Sequence, residues 1–132
     1  MLLRRSLLLA LFALAALARA ESPDASVPKK PLREVTELKL LYFRADWCQS
    51  CKRFDAAGVV ATVQQREPAL AVQKVNVDTE TALVERYGVE VTPTLVLVDA
   101  DGYPLARPKI TLDDGPATVE RVLKAVKKST GR

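Results

Sequence analysis

Cys48 and Cys51 are the residues of this sequence whose type and spacing most directly indicate chemistry. They are its only two cysteines, and two residues separate them. A disulfide across so short a loop restricts the unfolded chain little, so it stabilises a fold poorly. Neighbouring thiols can instead exchange electrons, because one attacks a partner's disulfide and the other resolves the mixed disulfide that forms. The spacing therefore predicts thiol–disulfide exchange.

A metal site and an inert thiol pair are the alternative interpretations of the same two residues. The chain has no histidine and no third cysteine. A zinc ion would therefore need ligands from outside the chain. We predict no metal and no cofactor.

The segments around the cysteines predict a strand that leads into a helix. Residues 38–43 form a short apolar run, typical of a strand covered on both faces. From Cys48 the pattern is helical, with a break at Gly58 and an end at Pro68. Cys48 is thereby predicted at a helix N-terminus, where the helix dipole favours a thiolate, and is the expected nucleophile. Cys51, one turn further in, is the expected resolving thiol.

The rest of the chain alternates between strands and helices. Further strands are predicted over residues 70–77, 94–98 and 103–110, and a further helix over residues 80–87. The run Asp113-Asp114-Gly115-Pro116 is expected to open a last helix. The order β-α-β-α-β-β-α predicts an α/β fold, a three-layer sandwich with a central mixed four-stranded sheet and flanking helices.

Specific residues predict how the last strand and the last helix are placed. Asp101-Gly102 is typical of a hairpin turn before the last strand. Pro108 lies inside that strand and cannot donate to a ladder, so the strand is expected at the edge of the sheet. The last helix has an apolar stripe at helical spacing, formed by Val119, Val122, Leu123 and Val126.

The N-terminus has the pattern of an export signal. Arg4 and Arg5 precede an apolar run over residues 7–18, and Ala18-Arg19-Ala20 supplies a small-x-small cleavage site. We predict a cleaved signal peptide over residues 1–20 and a periplasmic location. The alternative is an uncleaved anchor, for which the apolar run is shorter than the roughly 20 residues that a membrane span needs.

Removing this leader changes what the charge of the chain implies. Without its three arginines the formal net charge falls from +4 to +1, so nothing indicates a nucleic-acid partner. Residues 21–34 are polar and proline-rich and predict a linker, followed by one domain over residues 35–132. Export places the thiol pair in an oxidising compartment, where it is oxidised unless something supplies electrons.

Two motifs resemble those of the thioredoxin superfamily. Residues 43–52 (Phe-Arg-Ala-Asp-Trp-Cys-Gln-Ser-Cys-Lys) resemble its active-site signature, and residues 88–94 (Gly-Val-Glu-Val-Thr-Pro-Thr) resemble the segment that carries its cis-proline. The resemblance spans about residues 35–128. The Ala-Asp-Trp lead-in and the Cys-x-x-Cys-Lys-Arg-Phe-Asp run are most similar to the periplasmic C-terminal domain of the transmembrane disulfide-interchange (cytochrome c biogenesis) protein and its stand-alone relatives.

The resemblance implies a thioredoxin-like fold and a set of site residues. Cys48 and Cys51 would form the redox-active disulfide, and Trp47 would flank it. A cis bond before Pro93 would turn the backbone of Thr92 toward Cys48, where it could pair with a bound peptide. The implied partners are protein disulfides or dithiols and a membrane-bound electron donor, with the chain acting as a monomeric reductase.

The sequence departs from thioredoxin at several positions near this site. Gln49-Ser50 replaces Gly-Pro between the cysteines. Tyr42 stands where thioredoxin has a buried acid, so Asp46 and Glu90 become the candidates for accepting the proton of Cys51. Tyr42 itself is expected in the core. Lys74, which resembles a lysine paired with that acid, is expected to face solvent.

Two other functions remain open from the sequence. The chain could be a disulfide oxidase or isomerase acting on folding proteins, although it has no inserted helical domain and no evident dimerisation region. It could also be a non-catalytic thioredoxin-like module that binds a partner and uses the dithiol as a redox sensor.

Overall fold

The structure is a computed structural model that describes residues 37–131. The predicted signal peptide (1–20) and linker (21–34) lie outside the described residues. None of the helices within residues 37–131 is both long and apolar enough to cross a membrane. The elements, in chain order, are β1 (Leu38–Arg44), α1 (Gln49–Ala56), α2 (Val59–Arg66), β2 (Ala71–Asn76), α3 (Thr81–Tyr87), β3 (Thr94–Asp99), β4 (Pro104–Ala106) and α4 (Gly115–Thr130).

The strands form one mixed four-stranded sheet in the order β2-β1-β3-β4. β1 and β2 are parallel and are joined by α1 and α2, whereas β3 is antiparallel to both β1 and β4. Phe43 near the end of β1 pairs with Val75 of β2 and with Thr94 at the start of β3. The C-terminal end of β1 and the N-terminal end of β3 therefore lie at the same end of the sheet. The predicted α/β class and mixed sheet are confirmed.

The two faces of the sheet are covered by different helices, which makes three layers. Successive side chains of a strand point to opposite faces. Tyr42 of β1 packs with Phe54 of α1 on one face, and Phe43 packs with Tyr87 of α3 on the other. The first face is completed by buried residues of α2 and α4, namely Val59, Val63, Val119, Val122, Leu123 and Val126. The predicted stripe of the last helix is thus core.

Gly58 separates the two helices of the crossover. Its φ of 67° lies in the left-handed region, which glycine adopts without a Cβ penalty. Its N–H bonds to the carbonyl of Asp55 at 3.1 Å, and its carbonyl accepts the N–H of Thr62 at 3.0 Å. One helix therefore ends and the next begins at this residue. The predicted break is confirmed, and α2 ends at Arg66, two residues before Pro68.

Helix α4 begins at a side-chain cap. The carboxylate of Asp114 accepts the backbone N–H of Ala117 at 2.9 Å, which satisfies one of the free donors of the first turn. Pro116 follows in that first turn, where its missing N–H has no intrahelical partner to lose. The predicted start of the last helix is confirmed.

The prediction for the fourth strand was wrong in its length. β4 covers only Pro104–Ala106 instead of residues 103–110, and its register with β3 shifts between Leu97 and Val98. The following segment leaves the sheet because α4 binds its backbone. The Thr118 hydroxyl accepts the N–H of Thr111 at 2.9 Å, and Arg121 donates to the carbonyl of Lys109 at 3.2 Å. β4 is nevertheless an edge strand, as predicted.

Candidate active site

Cys48 and Cys51 lie at the junction between β1 and α1 and are joined by a disulfide. Their Cα atoms are 5.2 Å apart. Cys48 is the N-cap of α1, and its Sγ accepts the backbone N–H of Cys51 at 3.1 Å. A bond of 3.2 Å from the N–H of Cys48 to the carbonyl of Ala45 closes the preceding turn. The predicted position of Cys48 at a helix N-terminus is confirmed.

Both cysteines are buried, and Cys48 lies at the N-terminus of α1. Cys48 is 5% exposed, whereas Cys51 is fully buried beside Ala45 and Val77. The N-terminus of a helix presents unpaired N–H groups and a partial positive charge. The first turn of α1 contains no acidic residue to offset that charge. This environment favours the thiolate form of a reduced Cys48.

Trp47 immediately precedes Cys48 in the chain and is 65% exposed. Its indole N–H donates to a carboxylate oxygen of Asp78 at 3.0 Å. Asp78 lies in the turn between β2 and α3, where its own N–H donates to the side-chain oxygen of Asn76 at 2.9 Å. The Glu80 carboxylate accepts the N–H of Asn76 at 2.9 Å in the same turn. The exposed indole is therefore anchored to an internally bonded turn.

Thr92 and Pro93 immediately precede β3 at the end of the sheet where β1 exits. The bond between them is cis, as the resemblance implied. Both residues are half-buried. The pairing of Phe43 with Thr94 brings this segment to the end of the sheet from which the dithiol turn leaves. The neighbouring Val91 is exposed, and its carbonyl accepts the hydroxyl of Thr94 at 2.6 Å.

A hydroxyl–carboxylate pair that the sequence did not predict lies next to the backbone of Cys51. The hydroxyl of the fully buried Tyr42 donates to a carboxylate oxygen of Asp55 at 2.9 Å. The same hydroxyl oxygen lies 3.4 Å from the carbonyl oxygen of Cys51. Burial first, and then the hydrogen bond to Asp55 and its negative charge, raise the pKa of Tyr42 above its usual range. Tyr42 therefore keeps its proton and acts as a donor to Asp55.

Arg44 connects this pair to the turn before Cys48. Its guanidinium lies 3.0 Å from a carboxylate oxygen of Asp46 and 3.6 Å from one of Asp55. The hydrogen bond to Asp46 is the largest of the effects that raise the pKa of Arg44. The Arg44 Nε is buried and has no hydrogen-bond partner. Arg44 thus bridges an acid of α1 and an acid of the dithiol turn.

Neither of the two predicted acids contacts a cysteine through a hydrogen bond or an ion pair within residues 37–131. Asp46 pairs with Arg44 and not with a cysteine, and Glu90 is exposed. Lys74 is exposed, as predicted. The signal that could have revealed Asp55 is its spacing, because it follows Cys51 by four residues in a predicted helix and so shares its face.

Metal ligands do not cluster at this site or elsewhere in the described part of the chain. Residues 37–131 contain no group of three His, Cys, Asp or Glu side chains that could hold a metal ion. Both cysteines, which would be the thiolate ligands, are in the disulfide.

Comparisons with curated proteins point to thioredoxin-related chains. Thioredoxin of Chlamydia caviae is 37% identical over 62 residues, which are 47% of this chain and 59% of that protein. Protein disulfide-isomerase A4 of Bos taurus is 34% identical over 61 residues, which are 45% of this chain and 10% of that protein. Each alignment thus spans less than two thirds of the relative's length.

Comparisons with solved structures also point to thioredoxins. A mutant thioredoxin from Halobacterium salinarum is 35% identical with a TM-score of 0.54, covering 72% of this chain and 76% of that chain. Thioredoxin from Trypanosoma brucei brucei is 21% identical with a TM-score of 0.57, covering 70% and 77%, and supports the fold alone. A family model described as Thioredoxin matches residues 27–124 of this chain. The chain belongs to the thioredoxin family.

Proposed function

We propose that this protein is a thiol–disulfide oxidoreductase that reduces disulfides of partner proteins through Cys48 and Cys51. The observation that carries the proposal is the disulfide between these residues at the N-terminus of α1 in a thioredoxin domain. A first cysteine at the helix terminus, with a second one in the first turn of the same helix, is the arrangement that attack and resolution require. The name of one curated relative, a protein disulfide-isomerase, refers to disulfide chemistry and supports the same reaction class.

The reaction proceeds in two exchange steps that move two electrons to the partner. The Cys48 thiolate attacks one sulfur of the partner's disulfide, forms a mixed disulfide and releases the other sulfur as a thiolate that takes up a proton. The thiol of Cys51 then loses its proton and attacks the Cys48 sulfur. The Cys48–Cys51 disulfide forms and the second partner sulfur leaves as a thiolate. An external dithiol must reduce Cys48–Cys51 before the next cycle.

Residues around the disulfide provide the surface on which a partner docks. Trp47 and Val91 are both largely exposed, so they can bury apolar area against a partner. In our proposal the backbone of Thr92, beside Pro93, pairs with an extended segment of the partner as an added strand would. The support is the position of this segment at the start of β3, at the end of the sheet where β1 leads into Cys48.

The cellular setting of the proposal rests on the N-terminal sequence and on the family resemblance. Arg4 and Arg5, the apolar run and Ala18-Arg19-Ala20 support export to the periplasm with cleavage after residue 20. In an oxidising compartment a reductase needs a supply of electrons, so a membrane-bound donor is the proposed source. The resemblance to the disulfide-interchange protein supports that direction, and we propose that the chain acts as a monomer.

Insulin reduction with dithiothreitol as the electron donor tests the activity. We expect the wild type to accelerate the reaction and Cys48→Ser to abolish the acceleration. Cys51→Ser is expected to stop turnover while it accumulates the mixed disulfide, which a non-reducing gel shows. The proposal fails if the wild type is no faster than dithiothreitol alone, or if Cys48→Ser keeps full activity.

The partner and the direction of electron flow need a second experiment. Cys51→Ser expressed in cells should retain its partner as a disulfide-linked complex that mass spectrometry identifies. The equilibrium of the purified protein with thioredoxin-range redox buffers gives its reduction potential. A potential close to that of a strong oxidant would reverse the proposed direction and favour an oxidase.

A further inference from the structure

Asp55 and Cys51 project from the same face of α1. They are four residues apart, a spacing at which Cβ atoms of a helix are about 6 Å apart. The Tyr42 hydroxyl holds the Asp55 carboxylate at 2.9 Å and also lies 3.4 Å from the Cys51 carbonyl. The Asp55 side chain is 35% exposed, and the hydrogen bond from Tyr42 orients its carboxylate. A negative charge is therefore held close to the inner cysteine of the pair.

The charge of Asp55 opposes the field at the other end of the helix. The N-terminus of α1 favours a thiolate at Cys48. A carboxylate close to Cys51 disfavours a second negative charge there, because like charges raise the free energy of the ionised form. The two ends of α1 thus act on the two sulfurs with opposite sign.

Other charged groups around this position limit the effect. From β1, Arg44 approaches the Asp55 carboxylate at 3.6 Å and offsets part of its charge, while Asp46 in the following turn pairs with Arg44. On α1 itself, Lys52 and Arg53 are exposed to solvent, which screens them. Within residues 37–131 the side chain of Asp55 has Tyr42 and Arg44 as its polar partners.

We propose that Asp55, oriented by Tyr42, is a positioning residue that keeps Cys51 protonated while Cys48 ionises in the reduced protein. The inference rests on the proposed function, because it assigns the order of ionisation of the dithiol. Cys48 is then the sulfur that attacks, and Cys51 remains a neutral thiol until the mixed disulfide forms.

Titration of the two thiols in the reduced protein tests this assignment. Thiolate absorbance in the far ultraviolet is followed against pH, and the upper of the two midpoints is assigned to Cys51 by repeating the titration on Cys48→Ser. We expect Asp55→Asn to lower this midpoint by about one pH unit. Asp55→Glu, which keeps the negative charge, should have an upper midpoint close to that of the wild type. Tyr42→Phe, which releases the carboxylate but keeps its charge, should lower it by less than Asp55→Asn does.

The matched control removes another acid near the same helix. Asp113→Asn takes away a carboxylate that is 94% exposed and pairs with Arg53 at 3.8 Å. It should leave the upper midpoint unchanged. Equal midpoints in Asp55→Asn and Asp113→Asn would overturn the assignment.

The readouts separate this inference from the proposed function. Thiol midpoints do not depend on a partner protein. If the wild type fails to reduce insulin but Asp55→Asn lowers the upper midpoint, the role of Asp55 stands and the reductase proposal fails. If insulin is reduced and the midpoints do not respond to Asp55→Asn, the reductase proposal stands and the role of Asp55 fails. Far-ultraviolet circular dichroism of each variant verifies that it is folded.

Discussion

The hydroxyl of Tyr42 donates to the carboxylate of Asp55 across the contact between β1 and α1. Tyr42 is fully buried at the centre of the sheet, while Asp55 stands on the helix that begins at Cys48. The pair therefore joins the core of the domain to the element that carries the disulfide. It also gives a buried phenol a partner for its proton, which an isolated hydroxyl in a core would lack.

Tyr42→Phe is expected to change how stability depends on alkaline pH. Folding raises the pKa of Tyr42 above its ordinary value of 10.0, mainly because the hydroxyl is buried. The folded protein thus retains a proton that the unfolded chain loses. The stabilisation is complete below about pH 10 and declines above it, by about 1.4 kcal/mol of unfolding free energy per pH unit.

Urea unfolding of both proteins from pH 8 to 11 measures this slope. The phenylalanine variant has no proton at this position, so its stability should fall less steeply above about pH 10. Tyr87 and Tyr103 are present in both proteins and contribute equally to the comparison. Parallel slopes for the two proteins would contradict the prediction.

Asp78→Ala is expected to loosen the exposed indole of Trp47. The variant removes the acceptor of the 3.0 Å hydrogen bond from the indole. Because Trp47 is the single tryptophan of the chain, its emission can be followed directly. We expect a lower steady-state fluorescence anisotropy and, since the docking surface is less ordered, a KM for insulin raised about fivefold.

Asp78→Asn serves as the control for this change, because its amide oxygen can still accept the indole N–H. Its anisotropy should stay close to that of the wild type. An Asp78→Ala protein with unchanged anisotropy would show that the packing of Trp47, and not its hydrogen bond, holds the indole in place.

Asp114→Ala is expected to destabilise the domain through the start of α4. The carboxylate caps the N–H of Ala117 at 2.9 Å, and losing such a cap costs about 1 kcal/mol of unfolding free energy. Asp113→Ala is the matched control, since its side chain is nearly all in solvent and its pair with Arg53 is long at 3.8 Å. That change should stay below about 0.5 kcal/mol. Urea unfolding at neutral pH distinguishes them, and equal losses would rule out the cap.

Leu97→Ala tests the core beneath the interior strand β3. Leu97 has no solvent exposure and packs in the cluster between the sheet and the helices α1, α2 and α4. Truncating it should lower the unfolding free energy by about 2–5 kcal/mol, because it removes buried apolar area and leaves a cavity. Val91→Ala, at an exposed position, should change the unfolding free energy by less than about 0.5 kcal/mol. A loss below about 1 kcal/mol for Leu97→Ala would mean that the core collapses into the gap.

Local patterns in the sequence were sufficient for most of the elements. The run over residues 38–43 predicted β1, and Gly58 predicted the division of the crossover helix. The apolar stripe of α4 is buried as its spacing indicated. These features depend on neighbours within a few residues, which is the distance over which periodicity and turn chemistry act.

Features that depend on contacts between distant segments were not predictable in this way. The shortening of β4 follows from bonds that Thr118 and Arg121 make to the segment after it. The partner of Tyr42 was missed because Asp55 lies 13 residues away and meets it only through packing of α1 on β1. The spacing of Asp55 from Cys51 indicates a shared helix face, but its hydrogen bond to Tyr42 could be identified only from the fold.

The N-cap position of Cys48 has a consequence for how this residue can be replaced. Its sulfur accepts the N–H of Cys51 in the first turn of α1, so the residue both caps the helix and would carry the reactive atom. Alanine removes both properties, whereas serine removes the thiol and keeps an oxygen that caps helices well. The difference in unfolding free energy between Cys48→Ser and Cys48→Ala therefore reports helix initiation alone, separately from any loss of disulfide chemistry.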